Sequence, residues 1–281
     1  MLPEQFCVRM KEMLGEEYAA FYASYDLPKY QALRINPLKT ERDTFLLQAP
    51  CSLNSVPWST HGYYFSGNDQ PGRHPYHEAG VYYIQEPSAM APAEYLMAEP
   101  GERILDLCAA PGGKSTQIAC SMQGEGLIVC NEIHPARAKI LSENIERMGV
   151  CNALVTNETP QKLSDNFREY FDRILVDAPC SGEGMFRKNE DACDEWSPEN
   201  VENCAARQAE ILDCAAEMLQ PGGRLVYSTC TFAPAENEGS ISRFLERHPE
   251  FELLPAEKKD GMMPGVPAWT EHPAEGLEHT I

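Results

Sequence analysis

The sequence predicts an α/β fold built on a doubly wound parallel sheet. Three observations carry that expectation. From residue 103 onward, short apolar runs alternate with longer amphipathic stretches, the pattern of strands joined by crossover helices. The first run, Ile104, Leu105 and Leu107, leads at once into Pro111-Gly112-Gly113 and a helix start, a strand–glycine turn–helix unit that aims backbone N–H groups at a ligand. Two further polar stretches, Asp177-Ala178-Pro179-Cys180-Ser181-Gly182 and Ser228-Thr229-Cys230-Thr231, fall at the ends of later strands, where open α/β sheets place their ligand crevice.

Before that sheet the pattern differs. Residues 1–26 read as helical, with Phe6, Met10, Met13 and Leu14 at helical spacing, then Tyr18, Phe21 and Tyr22. Leu33 to Thr40 reads as a strand ended by Asn36-Pro37, whose Arg34 and Lys39 either contact a polyanion or sit as solvated surface charges. Residues 50–80, rich in Pro, Gly, His and Tyr, read as short strands and turns. There Trp58, Tyr63, Tyr64 and Phe65 either stack on bases or form a small core under loops. Val81 to Met90 leads into a helix through Met97, and Pro100-Gly101 breaks it. These features place an N-terminal α+β domain at 1–98 and a second domain at 99–281.

In the second domain, the turn opens a helix from Lys114 to Met122. Gly126 to Glu132 is a strand ending in an acid, suited to accept the two hydroxyls of a ribose. Pro135 to Met148 is a helix with Pro at its first position. Strands follow at Ala153–Asn157 and Arg173–Asp177. Ser197-Pro198 starts a long helix to Leu219, which Pro221-Gly222-Gly223 ends. Arg224–Ser228 is a strand, Ala235–Arg247 a helix, and Phe251–Leu254 a candidate sixth strand. The last 27 residues read as loop or extended chain.

Composition narrows the class. The 281 residues are 43% hydrophobic, enough for a real core, and no apolar run approaches a membrane span. The chain reads as soluble and cytoplasmic, without a membrane partner. Its eleven cysteines are scattered, with no Cys-x-x-Cys pair and no clustered His, so neither a metal site nor a disulfide framework is expected. A formal charge of −20 argues against indiscriminate nucleic-acid binding but leaves room for a local basic groove.

The turn itself admits three readings. Gly113-Lys114-Ser115 mimics the end of a phosphate-binding P-loop, but that motif needs a glycine where Cys108 stands. The second reading is a site for S-adenosylmethionine (SAM), with the loop along the amino-acid end of the cofactor. The third is an ordinary strand-to-helix turn.

Cys108-Ala109-Ala110-Pro111-Gly112-Gly113-Lys114, Asp177 to Gly182 and Ser228 to Thr231, in this order and spacing, resemble the RNA cytosine-5 methyltransferases of the Nol1/Nop2/Sun family. Val176 to Lys188 looks most like the family's bacterial RsmF type, which modifies small-subunit ribosomal RNA; Leu33 to Thr40 and Gln85 to Met90 resemble its N-terminal region. The resemblance covers most of residues 1–255. It implies a Rossmann-like SAM methyltransferase sheet with a smaller N-terminal α+β domain. It also implies that family members run on into a last strand and an RNA-binding domain of the PUA kind.

The same resemblance assigns roles. Carbon 5 of cytosine is a poor nucleophile, and a thiolate adding at carbon 6 makes it electron-rich, dividing one hard step into easier ones. Cys230 makes the attack and Cys180 assists release. Asp177 meets the base edge at N3, and Lys114 positions the base or the acid. Cys108, Ala109, Ala110, Pro111, Gly112, Gly113, Lys114, Glu132 and Asp177 bind SAM, with Glu132 on the ribose. Asn157 stands where many members carry an acid near the adenine. Arg187 and Lys188 either face RNA phosphate or remain a solvated pair. The implied partner is ribosomal RNA, bound by a monomer without metal. The alternatives are a transfer-RNA cytosine-5 methyltransferase and a non-catalytic RNA-binding or assembly factor with the same fold.

Overall fold

Apolar runs buried on both faces make parallel strands, and the run from Ile104 to Leu107 lies at the centre of such a sheet. In the computed structural model, which describes residues 2–189 and 191–281, the chain runs as follows. Helices α1 (Glu4–Leu14) and α2 (Tyr18–Ala23) precede strand β1 (Gln31–Ile35), helix α3 (Arg42–Leu47) and strands β2 (Asn54–Ser55) and β3 (Gly62–Phe65). Next come α4 (Pro75–Glu78), β4 (Tyr82–Ile84), α5 (Ala91–Leu96), β5 (Arg103–Asp106), α6 (Gly113–Ser121) and β6 (Leu127–Asn131). Then follow α7 (Pro135–Met148), β7 (Ala153–Thr156), α8 (Pro160–Ser164) and β8 (Phe171–Asp177). Helices α9 (Asp191–Glu195) and α10 (Pro198–Met218), strand β9 (Leu219–Ser228) and helix α11 (Glu238–Arg247) complete the order. Met1 and Glu190 lie outside the described residues.

Contacts group the chain into two compact units. One holds Lys29–Asp177 and Cys214–Tyr227; the other holds Met1–Pro28, Ala178–Asp213 and Ser228–Ile281. The grouping interleaves separate segments of the chain.

The Lys29–Asp177 unit carries both sheets. The smaller is antiparallel, in order β2-β3-β1-β4. Leu33, Ile35, Phe45, Tyr63, Phe65 and Tyr82 form its core, and Trp58 and Tyr64 pack against a second cluster around Ala32, Val56 and Met90. The aromatic run therefore serves packing.

The larger sheet is parallel and five-stranded, in order β7-β6-β5-β8-β9. After β5 the chain winds outward through β6 and β7, then returns to place β8 on the other side of β5. The order thus reverses at β5, and the crevice of such a sheet lies at that reversal, off the carboxyl ends of β5 and β8. Ile104, Ile118, Ile128, Leu141 and Leu175, all fully buried, anchor the core between this sheet and its helices. Gly126 enters β6 at φ +78°, and a Cβ there would sit 2.2 Å from the carbonyl oxygen of Glu102. Gly126→Ala is expected to cost more than about 1 kcal/mol, through left-handed strain plus a backbone clash; an unchanged denaturant midpoint would count against this.

Two expectations need correction. Phe251–Leu254 forms no strand. Phe251 instead packs its ring on Phe244 and His248 at the end of α11, at centroid distances of 5.0 and 6.0 Å, which holds the segment against that helix. Strand β9 begins at Leu219, directly after α10, so Pro221-Gly222-Gly223 lies within the strand rather than before it.

Candidate functional site

The turn after β5 is shaped by glycine and held from outside by side chains. Gly112 takes φ +109°, a left-handed angle that favours glycine, and the Ala110-Pro111 bond is cis. No side-chain cap closes the N-terminus of the nine-residue helix α6, the kind of helix end that suits an anion. The carbonyls of the turn, by contrast, are taken. Arg137 Nη2 donates to Ala110 O at 2.9 Å, Asn144 Nδ2 to Pro111 O at 2.9 Å, and Arg34 Nη1 to Gly113 O at 2.6 Å. The turn's acceptors are thus occupied by side chains, while its helix start carries no side-chain cap. That polarity suits the carboxylate of an amino-acid cofactor.

Arg34 overturns the sequence expectation for it. It is 1% exposed, contacts no solvent-facing polyanion surface, and braces the turn from below. Besides Gly113 O it donates to Gln85 Oε1 at 2.8 Å, Gln117 Oε1 at 3.2 Å and, through Nη2, Thr116 Oγ1 at 2.8 Å. Lys39 is exposed but engaged, donating to Ala79 O at 2.6 Å and to Arg147 O at 2.7 Å near the C-terminus of α7.

At the carboxyl ends of β5, β6 and β8 stand three acids. Glu132 is nearly buried; it accepts from the His134 amide at 2.9 Å and pairs with Arg137 at 3.2 Å, which leaves lone pairs for a diol. Asp177 pairs with Lys114, Oδ2 to Nζ, at 2.6 Å. Asp106, fully buried, accepts from Ser115 Oγ at 2.6 Å through one oxygen, while Oδ1 has no hydrogen-bond partner. Burial pushes its carboxyl up to about 7, and the Asp177 charge adds to the rise. Burial likewise pushes the Cys108 thiol well above its ordinary value, so Cys108 is a neutral side chain of the turn. Asn157 spends its amide on the carbonyls of Glu132 and Ile133, at 2.6 and 2.9 Å, and so fixes the end of β6.

The Asp106 shift sets a sign for stability. The folded protein keeps this proton to a higher pH than the unfolded chain, whose Asp titrates near 3.8. The stabilisation is complete below that value and is lost as pH rises through about 7. The urea midpoint should therefore be higher at pH 5 than at pH 8, and Asp106→Asn should narrow that difference. The same pH difference in the variant would refute the assignment.

The other unit carries the two thiols. Cys180 and Cys230 bring their Sγ atoms to 3.2 Å, and the Cys230 amide donates to Cys180 Sγ at 3.3 Å. Hydrogen bonding to Cys230, then burial, drives the Cys180 thiol far above its usual value, so Cys180 holds its proton. Cys230 is exposed and Cys180 less so. A neutral S–H beside a reachable sulfur is a donor–nucleophile arrangement.

Two buried acids hold the loops that bear these thiols, and the sequence reading missed both. Glu183 accepts from Arg9 Nη2 at 2.6 Å with each oxygen, from Trp196 Nε1 at 2.9 Å and from the Phe232 amide at 3.1 Å. Glu236 accepts from the Ser181 amide at 3.0 Å, from Gln208 Nε2 at 2.8 Å and from Ser181 Oγ. Burial raises the Glu236 carboxyl. No local sequence signal marks either acid; each acts on partners far along the chain. Arg187 donates to the carbonyls of Leu27 and Pro28, while Lys188 is exposed. Among the described residues no helix is long and apolar enough to cross a membrane, and no cluster of His, Cys, Asp or Glu could hold a metal ion.

Comparison with known proteins bears on this arrangement. Residues 93–272 match the family model described as 16S rRNA methyltransferase RsmB/F, and residues 2–87 that of the N-terminal domain of 16S rRNA methyltransferase RsmF. The chain is 40% identical over 279 residues to ribosomal RNA small subunit methyltransferase F of Cronobacter sakazakii, covering 95% of this chain and 58% of that one. It is 38% identical to the protein of the same name from Erwinia tasmaniensis, covering 99% of this chain and 60% of the relative. The chain thus spans less than two thirds of the length of these relatives. A solved methyltransferase homolog protein from Pyrococcus horikoshii superposes with a TM-score of 0.86 at 29% identity, covering 98% of this chain and 88% of that one.

Proposed function

Because the chain belongs to the 16S rRNA methyltransferase RsmB/F family, we propose that it transfers a methyl group from SAM to carbon 5 of a cytosine in small-subunit ribosomal RNA. The observation that carries this reading is the pair of thiols, one exposed and one holding its proton, at 3.2 Å. SAM supplies an electrophilic methyl group when bound. The N-terminus of α6 would face its carboxylate, the turn from Cys108 to Lys114 would lie along it, and Glu132 would accept from the ribose hydroxyls. Asn157 and Asp177 complete the surround.

The chain's own residues then act on the base. The Cys230 thiolate forms a bond to carbon 6, and the electrons of the carbon 5–carbon 6 double bond move to carbon 5, which takes the methyl group and leaves S-adenosylhomocysteine. Loss of the carbon 5 proton and cleavage of the sulfur–carbon 6 bond restore the double bond and return the thiolate. Cys180, as a held S–H, assists that release. Asp177, steadied by Lys114, faces the N3 edge of the base, where its carboxylate accepts from the amino group beside N3. Reaching carbon 5 needs an unpaired or flipped-out cytosine, and a ribosomal RNA substrate supports a cytoplasmic location.

The test is methylation of small-subunit ribosomal RNA and of transfer RNA by the full chain with labelled SAM, followed by mapping of the modified base. Label at carbon 5 of a ribosomal cytosine supports the proposal; label confined to transfer RNA, or none, overturns it. Cys180→Ala should accumulate a covalent protein–RNA species that survives denaturation in a gel, at a level at least about tenfold above the unsubstituted chain, as expected when the second half of a covalent cycle is slowed. Its absence with turnover intact rejects the release role.

A further inference from the structure

We infer that Glu236 is a positioning residue for the thiol pair: its buried carboxylate locks the Cys180 loop to the Cys230 loop through Ser181 and Thr231. The inference rests on the catalytic reading of the thiols, but its geometric content stands apart from it. Glu236 is 0% exposed. One of its oxygens accepts the Ser181 amide and the Gln208 side-chain amide, and the other accepts the Ser181 hydroxyl. Gln208 Nε2 also donates to Pro179 O at 3.0 Å, so the residues on both sides of Cys180 are tied to this cluster.

The link to Cys230 is directional. A carboxylate only accepts, so the Ser181 proton is committed to Glu236. The contact between Ser181 Oγ and Thr231 Oγ1, 2.9 Å, must then carry the Thr231 proton toward Ser181. Thr231 Oγ1 accepts the Ala233 amide at 3.3 Å in return. The result is a one-way chain of hydroxyls from the Cys230 loop to the Cys180 loop, ending on one buried acid. The Gly184 amide adds a parallel tie by donating to Cys230 O at 2.8 Å.

Removing the terminal acceptor frees the chain. In Glu236→Ala the Ser181 amide and hydroxyl lose their acceptor and the two loops part. In Glu236→Gln the amide oxygen keeps the site facing two N–H donors. Its NH2 group turns to Ser181 Oγ, and the hydroxyl chain reverses without losing the Ser181–Thr231 bond. The conservative variant should therefore rescue the spacing.

The experiment treats the full chain with diamide, which takes two electrons and two thiol protons as Cys180 and Cys230 join. The linked peptides are then quantified by mass spectrometry. Glu236→Ala should slow this closure about tenfold or more, and Glu236→Gln should stay within about threefold of the parent, on the scale at which small misplacements change proximity-driven rates. In methylation assays kcat should fall by about 10²-fold in Glu236→Ala with the KM for SAM unchanged. Parental closure by folded Glu236→Ala, or equal losses in Glu236→Gln and Glu236→Ala, overturns the inference. Should Glu236→Ala fail to fold, Ser181→Ala removes only the hydroxyl link, and closure at the parental rate in that variant also overturns it. Normal closure kinetics with no methylation in the parent would count against the catalytic reading alone.

Discussion

Cys230→Ala should abolish methyl transfer, with a loss of about 10³-fold or more, the scale on which removing a nucleophile acts, while SAM binding stays within about twofold of the parent. The two effects separate because the residues are separate. Cys230 lies in the loop after β9 and touches Cys180, whereas the turn carbonyls are held by Arg34, Arg137 and Asn144. The expectation that Cys230 rather than Cys180 attacks rests on the asymmetry of the pair. Cys180 is held protonated by its bond to Cys230 and by burial, and a thiol is a poor nucleophile beside a thiolate. Cys230 is the exposed partner. The measurement is methyl incorporation beside calorimetric SAM binding for the same preparation. Full activity in Cys230→Ala removes it from the nucleophile role, and lost SAM binding means that the substitution disturbed the turn instead.

Arg34→Ala is expected to destabilise the chain by about 3–5 kcal/mol, the range for removing one member of a buried charged hydrogen-bond set. Arg34 is buried to 1% exposure and joins Gln85, Gly113, Thr116 and Gln117. Without it Gln85 Oε1 and Thr116 Oγ1 lose a buried donor, and Gly113 O and Gln117 Oε1 keep only longer contacts, at 3.2 Å from Thr116 and 3.5 Å from Gln85. The loss should also reach the cofactor site, because the Gly113 carbonyl is one of three that anchor the turn, so SAM affinity should fall beyond what stability alone explains. Arg34→Lys should recover little. An ammonium group lacks the planar fork that reaches Gly113 and Thr116 together. Urea unfolding of the three proteins, with SAM titration of each, checks this; a change under about 1 kcal/mol in Arg34→Ala would falsify the bracing role.

Arg34 also shows where sequence reading ran short. A charged residue in a strand beside Asn36-Pro37 looks like a surface contact when only neighbours in the chain are visible. Its partners stand between 51 and 83 residues away, and nothing local announces them. Phe251 to Leu254 failed for the converse reason: an apolar segment after a helix suggests a strand, but Phe244 and His248 hold the Phe251 ring instead. The turn after β5 was legible because glycine and proline act on their own backbone, and the strand beside it because burial on both faces writes a continuous apolar run.

What the sequence alone determined, then, is the set of local devices: the Pro111-Gly112-Gly113 turn, the acid ending β6, and the cysteine loops after β8 and β9. The order β7-β6-β5-β8-β9 was decided in three dimensions. So were the 3.2 Å between two sulfurs fifty positions apart, and the use of Arg34, Glu183 and Glu236 as buried anchors. The division follows the physics. Backbone preference is a property of a few consecutive residues, whereas hydrogen bonds that satisfy buried charge depend on which distant segments the packed core brings within reach.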